Sequence, residues 1–263
     1  MGRPETGNSD YMANNPVTII TGSSRGIGRA AAELLAGRGH RVVISSRHQE
    51  SCDAVASEIR EAGGEAGAIA CHVGKDEQLE TLVAGTVERF GRLDNLVLNA
   101  ASNPVYGPSD NVDRKAFDVI MHNNVFGSMR LGHLARPHMA AAGGGSVVLV
   151  SSIAGLLGNR VIGAYGLSKA AENQLVRNLA LEFGGDGIRV NAVAPGLIRT
   201  DFSKALLSDE RMVKHFERTT PLGRIGEPDD IARVIAFLVG GDSAWLSGQV
   251  ITADGGITVT GGF

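Results

Sequence analysis

With 263 residues, the chain is long enough for one large α/β domain with a full hydrophobic core. Its 25 Lys+Arg against 28 Asp+Glu leave a net charge of −3, which argues against an electrostatic nucleic-acid footprint. The 36 glycines follow no Gly-X-Y period, which excludes collagen, and no apolar run reaches the roughly 18 residues of a membrane span.

Residues 1–14 are polar, carry both charge signs and lack an apolar h-region, so a disordered tail is expected there rather than a signal peptide, with one domain over 15–263. Strand-like apolar runs then alternate with helical stretches. Val17–Ile20 is a strand, Ala30–Leu35 starts a helical pattern, and Arg41–Ser45 is a second strand. Glu50–Ala62 reads as a helix stopped by Gly63-Gly64, and Ala66–Ala70 as the third strand. Asp76–Phe90 is a helix ended by Gly91, Asn95–Leu98 a strand, and Asp113–Ala142 one long helix closed by three glycines. Ser146–Val150, Ile188–Val193 and Gln249–Thr252 are further strands, separated by helices over Ala164–Phe183 and Pro228–Val239. Strand–helix alternation predicts a parallel sheet covered by helices on both faces, a three-layer α/β/α fold. Strands apolar on both faces agree with it. Ligands then belong at the carboxyl ends of the strands.

The first strand runs into Thr21-Gly22-Ser23-Ser24-Arg25-Gly26-Ile27-Gly28. Its spacing is GxxxGxG rather than GxGxxG, but the physics is shared: glycines let the backbone approach a pyrophosphate at a helix N-terminus. At the end of the second strand, where an acid would read the 2′-hydroxyl of NAD, stand Ser45-Ser46-Arg47-His48. Arg47, joined by Arg25, suits a 2′-phosphate, so NADP(H) is favoured over NAD(H). The bland alternative is a solvated surface arginine.

Tyr165 and Lys169 stand four apart on a helix and so share a face. A free tyrosine with a pKa of about 10 exchanges protons poorly at neutral pH, and a neighbouring ammonium lowers it. Ser152 follows the fifth strand, where its hydroxyl can hold a substrate oxygen as charge develops. The paired asparagines Asn123-Asn124 lie in the long helix. The histidines have no metal-ligand spacing, so no metal is expected; Cys52 and Cys71 form no CxxC pair and point to a reducing, cytoplasmic setting.

From about Val17 to Gly256 the chain resembles the short-chain dehydrogenase/reductase family. The motifs that carry the likeness are the TGSSRGIG loop, NAA at 99–101, Ser152, YGLSK at 165–169 and NAVAPGLIRT at 191–200. The resemblance implies a single Rossmann-type domain with a doubly wound, parallel, seven-stranded sheet, usually within a homotetramer, and direct hydride transfer between NAD(P)H and a carbonyl. It makes Tyr165 the acid/base and Lys169 the group that lowers its pKa and binds ribose. Ser152 would orient the carbonyl, and Asn124 would hold a relay water. Gly22, Ser24, Arg25, Ile27, Ser46, Arg47, His72, Val73, Asn99, Ala100, Ala101, Pro195, Gly196, Ile198 and Thr200 would line the cofactor.

Two departures stand out. Leu98 and Ala101 replace an asparagine and a glycine of the family's NNAG stretch, and His72 stands where the family has an acid near adenine. His72 can meet the adenine amine through its acceptor nitrogen, or be a surface histidine with no ligand. Residues 201–220 look like a lid, and Phe202, Ala205, Leu206, Leu207, Met212, Val213 and Phe216 suggest a helix pair with one oily face. The lid favours an apolar or mixed small-molecule substrate, and the chain looks closest to the NADPH-dependent carbonyl reductase branch. A 3-oxoacyl thioester reductase, an NAD-dependent alcohol dehydrogenase and a non-catalytic cofactor-binding protein are the alternatives. The closing residues 257–263, apolar and glycine-rich, suit a subunit interface.

Overall fold

The computed structural model describes residues 15–260; the tail expected over 1–14 and the last three residues of the proposed interface segment lie outside them. Seven parallel strands form one sheet in the order β3-β2-β1-β4-β5-β6-β7. They are β1 (Val17–Thr21), β2 (Arg41–Ser45), β3 (Glu65–Ala68), β4 (Asn95–Leu98), β5 (Gly145–Val150), β6 (Ile188–Pro195) and β7 (Val250–Ala253). The helices are α1 (Gly26–Gly37), α2 (Gln49–Glu61), α3 (Asp76–Phe90), α4 (Arg114–Met121), α5 (Gly127–Ala141), α6 (Gly163–Phe183), α7 (Lys204–Leu207), α8 (Glu210–Thr219) and α9 (Pro228–Val239).

Side chains alternate across the strands, so successive residues feed two separate cores. Ile20, Ile44, Val97 and Val148 pack with α1, α2 and α9; Ile19, Val43, Leu96 and Leu149 pack with α3, α5 and α6. β1 pairs with β2 on one side and β4 on the other. Successive connections leave β1 in opposite directions there, and the crevice this opens faces the carboxyl ends of the strands. Among the described residues no helix is long and apolar enough to cross a membrane.

The single helix expected over Asp113–Ala142 is two helices joined by a π turn at His122–Phe126. The extra residue in that turn has a visible cause. It brings the fully buried Asn124 against the chain leaving β4: its Oδ1 accepts from Ser102 N at 2.8 Å, and its Nδ2 donates to Ser102 O at 3.1 Å. β3 stops at Ala68, short of Ala70, and β6 runs on to Pro195.

Candidate active site

The glycine-rich loop is tied down on both sides. Ser23 Oγ donates to Ile20 O at 2.6 Å and accepts from Ser45 N at 2.9 Å, which fixes the loop to β2. Asn99 Nδ2 donates to Thr21 O and Gly22 O at 2.9 and 3.1 Å, which fixes it to β4. The side-chain N–H groups of Asn99 are thus committed to the loop. Gly28 must lack a side chain, because a Cβ there would lie 2.5 Å from Gly22 O. Half-buried Ser24 and Ile27 stand on this turn. Arg29 N to Arg25 O, 3.3 Å, is a first-turn bond of α1, so the amides just before it have no acceptor inside the helix. They and the positive end of the helix dipole favour an anion.

At the end of β2, Ser46 is half-buried and its N–H donates to Cys52 Sγ at 3.1 Å. Arg47 is exposed, and among the described residues no carboxylate pairs with it. Arg25 does not join it. Its guanidinium reaches across to Asp201 at 3.2 Å, because the segment after β6 passes in front of the loop. His72 departs from its expected chemistry as well. Its Nδ1 accepts from Gly74 N at 3.1 Å, so the remaining ring nitrogen is an N–H donor and cannot accept from an adenine amine. Val73 packs on the α3/α5/α6 core, and half-buried Ala100 and Ala101 continue β4. Pro195 closes β6, Gly196 N donates to Ala253 O at 3.1 Å, Ile198 is buried, and Thr200 caps the turn at Asp201–Ser203. A cavity of about 590 Å³ opens between Gly26 and residues 199–208. The glycine floor, the free amides and the hydroxyls make a donor set that suits the diphosphate of a nicotinamide dinucleotide.

Tyr165, Lys169 and Ser168 are buried on α6, and Ser152 stands half-buried in the turn after β5. That turn lies hard against α6. A Cβ on Gly155 would come within 2.7 Å of the Lys169 carbonyl carbon. Ser151 Oγ donates to Asn173 Oδ1 at 2.7 Å and clamps the same contact. Asn124 Nδ2 donates to Ser168 Oγ at 3.0 Å, which joins the π turn to the helix that carries Tyr165.

The electrostatics are less simple than a tyrosine beside a lysine. Burial pushes the Tyr165 hydroxyl above its ordinary range; Lys169 draws it down, Glu172 pushes it up, and the Ser152 hydroxyl draws it down. The Lys169 ammonium sits 5.3 Å from the centre of the tyrosine ring. Burial pulls that ammonium down, but Glu172 and Tyr165 together hold it above the usual lysine range. Burial pushes the Glu172 carboxyl up to about 7 against the pull of Lys169. The net direction at Tyr165 is therefore upward, although Lys169 acts in the expected sense.

Glu172 is the residue that sequence reasoning missed. Both its oxygens lie 2.9 Å from Lys169 Nζ. Its signal was present: an acid on the α6 stripe that also carries Lys169, Val176 and Leu179. Over the site, Phe202 places its ring 5.6 Å from that of Tyr165, and Tyr106 Oη donates to Phe202 O at 3.3 Å. The helix pair expected over 201–220 is present as α7 and α8.

A family model described as Enoyl-(Acyl carrier protein) reductase matches residues 22–258. Dehydrogenase/reductase SDR family member 4 of Bos taurus is 39% identical over 243 residues, 92% of this chain and 87% of that protein. Among solved structures, a gluconate 5-dehydrogenase from Burkholderia cenocepacia, in complex with NADP and tartrate, superposes with a TM-score of 0.90 at 29% identity, covering 94% of this chain and 97% of its own. A 7α-hydroxysteroid dehydrogenase complexed with NADH and 7-oxo glycochenodeoxycholic acid gives 0.89 at 35% identity, covering 95% and 97%. This chain belongs to the short-chain dehydrogenase/reductase family and is an NAD(P)-dependent oxidoreductase.

Proposed function

We propose that the protein interconverts a carbonyl compound and its alcohol using NADP(H), with Tyr165 as the acid/base. The observation that carries this reading is the buried Tyr165 between Lys169 and the Ser152 turn, beneath the ring of Phe202. The cofactor would supply the hydride at its nicotinamide ring. Gly22, Ser24, Ile27 and the free amides of α1 would hold its diphosphate, and Lys169 its ribose. Asn99, Ala100 and Ala101 would flank the adenosine side, with Val73 and the His72 N–H near the base. Pro195, Gly196, Ile198 and Thr200 would face the nicotinamide. The phosphate preference rests on Arg47, exposed two residues past the end of β2 with no carboxylate paired to it among the described residues. Arg25 would join it on leaving Asp201.

Ser152 Oγ would hold the substrate oxygen, and Tyr165 would give that oxygen its proton as the carbonyl is reduced. Reprotonation of Tyr165 would run through Lys169 and water held near Asn124. Tyr106, Leu156, Leu157, Val161 and Phe202 are exposed large side chains in the turn after β5, the loop after β4 and the lid. An apolar ketone or aldehyde suits that mouth, as in the carbonyl reductase branch. The 7-oxo glycochenodeoxycholic acid complexed with one solved relative is a ketone of mixed polarity. A 3-oxoacyl thioester is the second reading, supported by the acyl-carrier-protein description of the matching family model. A homotetramer is proposed on the exposed apolar residues Leu181 and Trp245, and a cytoplasmic setting on two cysteines that are buried and free.

Titration of the protein with NADPH and separately with NADH, followed by the fluorescence of the bound cofactor, tests the reading. Tighter NADPH binding is expected. Tighter NADH binding would overturn the Arg47 argument and favour an NAD-dependent alcohol dehydrogenase; binding of neither would overturn the activity itself.

A further inference from the structure

An ammonium has three N–H donors, and in this protein all three of Lys169 are engaged. Nζ lies 2.9 Å from Val150 O and 2.9 Å from each oxygen of Glu172. Lys169 and Glu172 are 2% and 3% exposed, so water does not compete for either. The ammonium faces the tyrosine ring at 5.3 Å from its centre, while its hydrogen bonds go to β5 and to Glu172. A lysine held this way has no donor to offer a phenolate or a ribose until one of those bonds opens. A carboxylate buried this deeply is costly and stays because it is paired.

We propose that Glu172 is a positioning residue for Lys169: it holds the ammonium back from the Tyr165 hydroxyl and so sets how readily that hydroxyl ionises. The proposal rests on the reading of Tyr165 as the acid/base. The raised Tyr165 hydroxyl agrees with it, since Glu172 is one of the groups that push it up. The other groups acting on Tyr165 are Lys169 on the same helix, Ser152 from the turn after β5 and Tyr106 from the loop after β4. The variants below leave these residues unchanged except where Tyr165 itself is replaced as a blank.

The test is an ultraviolet titration of the tyrosinate band in the cofactor-free protein, each form corrected by its own Tyr165→Phe counterpart. The difference reports Tyr165 alone and needs neither substrate nor turnover. Failure of the catalytic reading, seen as turnover surviving in the Tyr165→Phe protein, is thereby distinct from failure of this one. In Glu172→Gln, the charge that restrains Lys169 is gone and the Tyr165 titration is expected to start about one pH unit lower. In Glu172→Asp, the charge remains on a shorter arm that draws Lys169 away, and the titration is expected to stay at or above that of the wild type. A folded E172Q protein with an unchanged or raised titration would overturn the proposal. So would an E172D protein whose titration falls. If E172Q does not fold, the E172D result decides alone, in the same sense.

Discussion

Replacing Gly155 with alanine is expected to lower kcat/KM by about one to two orders of magnitude with little change in cofactor affinity. The new methyl carbon would lie 2.7 Å from the Lys169 carbonyl carbon and 2.8 Å from Ala170 N, both backbone atoms of α6 that cannot rotate away. To regain the 3.4 Å of ordinary contact, the turn must retreat by about 0.7 Å. Gly155 N is bonded to Ser152 O at 3.0 Å, so Ser152 moves with it. A misplacement of about 1 Å at a reacting group can cost about 100-fold, equivalent to about 2.7 kcal/mol of transition-state stabilisation. The assay is steady-state oxidation of NADPH with a panel of apolar ketones, alongside the NADPH fluorescence titration. An unchanged kcat/KM in a folded protein would refute the idea that this contact sets Ser152 against Tyr165.

Tyr165→Phe should abolish turnover while NADPH binding stays within a few-fold; retained turnover would remove Tyr165 from the mechanism. Arg47→Asp should move cofactor preference from NADPH toward NADH, read as the ratio of the two dissociation constants, and an unmoved ratio would show that Arg47 does not meet the phosphate. His40 carries a stability prediction. It is 6% exposed, its Nδ1 lies 3.0 Å from Thr18 Oγ1, and burial pushes it down to about 4. Below an unfolded pKa of about 6.5 the unfolded chain binds the proton and the native protein does not. Stability therefore falls with pH between about 6.5 and about 4, by up to about 3 kcal/mol. Urea unfolding across that window should show a smaller fall for His40→Gln, and equal falls would sink the assignment.

The elements most legible in the sequence were those whose ends carry their own signals. Asp76–Phe90 was bounded by Asp76 and Glu77 in its first turn and by Gly91, which adopts φ 75° at the C-cap. Pro228 marked the start of α9 in the same way. The YGLSK spacing put Tyr165 and Lys169 on one helix face because residues four apart on a helix are neighbours. The rest depended on contacts between distant parts of the chain. Arg25 meets Asp201 across 176 residues, Asn99 reaches back 78 residues to Thr21, and Asn124 reaches Ser102 through a turn whose extra residue no periodicity announces. Glu172 was in view as an acid on an apolar stripe, but its partner could be named only once the burial of that face was known.

Asp201 and Phe202 are neighbours in the chain, yet they touch opposite ends of the crevice. One is paired with Arg25 at the glycine-rich loop, the other covers the ring of Tyr165. A ligand that draws Arg25 off Asp201 would therefore act on the neighbour of the residue that covers the Tyr165 ring. Thermodynamic reciprocity would make such a coupling mutual: whatever an anion at the loop did to a guest beneath Phe202, that guest would do to the anion. Both ends of the ion pair are well exposed, at 66% and 60%, so the coupling is bounded at about 1 kcal/mol, roughly five-fold in affinity. Any coupling between the two ends of the crevice would thus run through a single dipeptide.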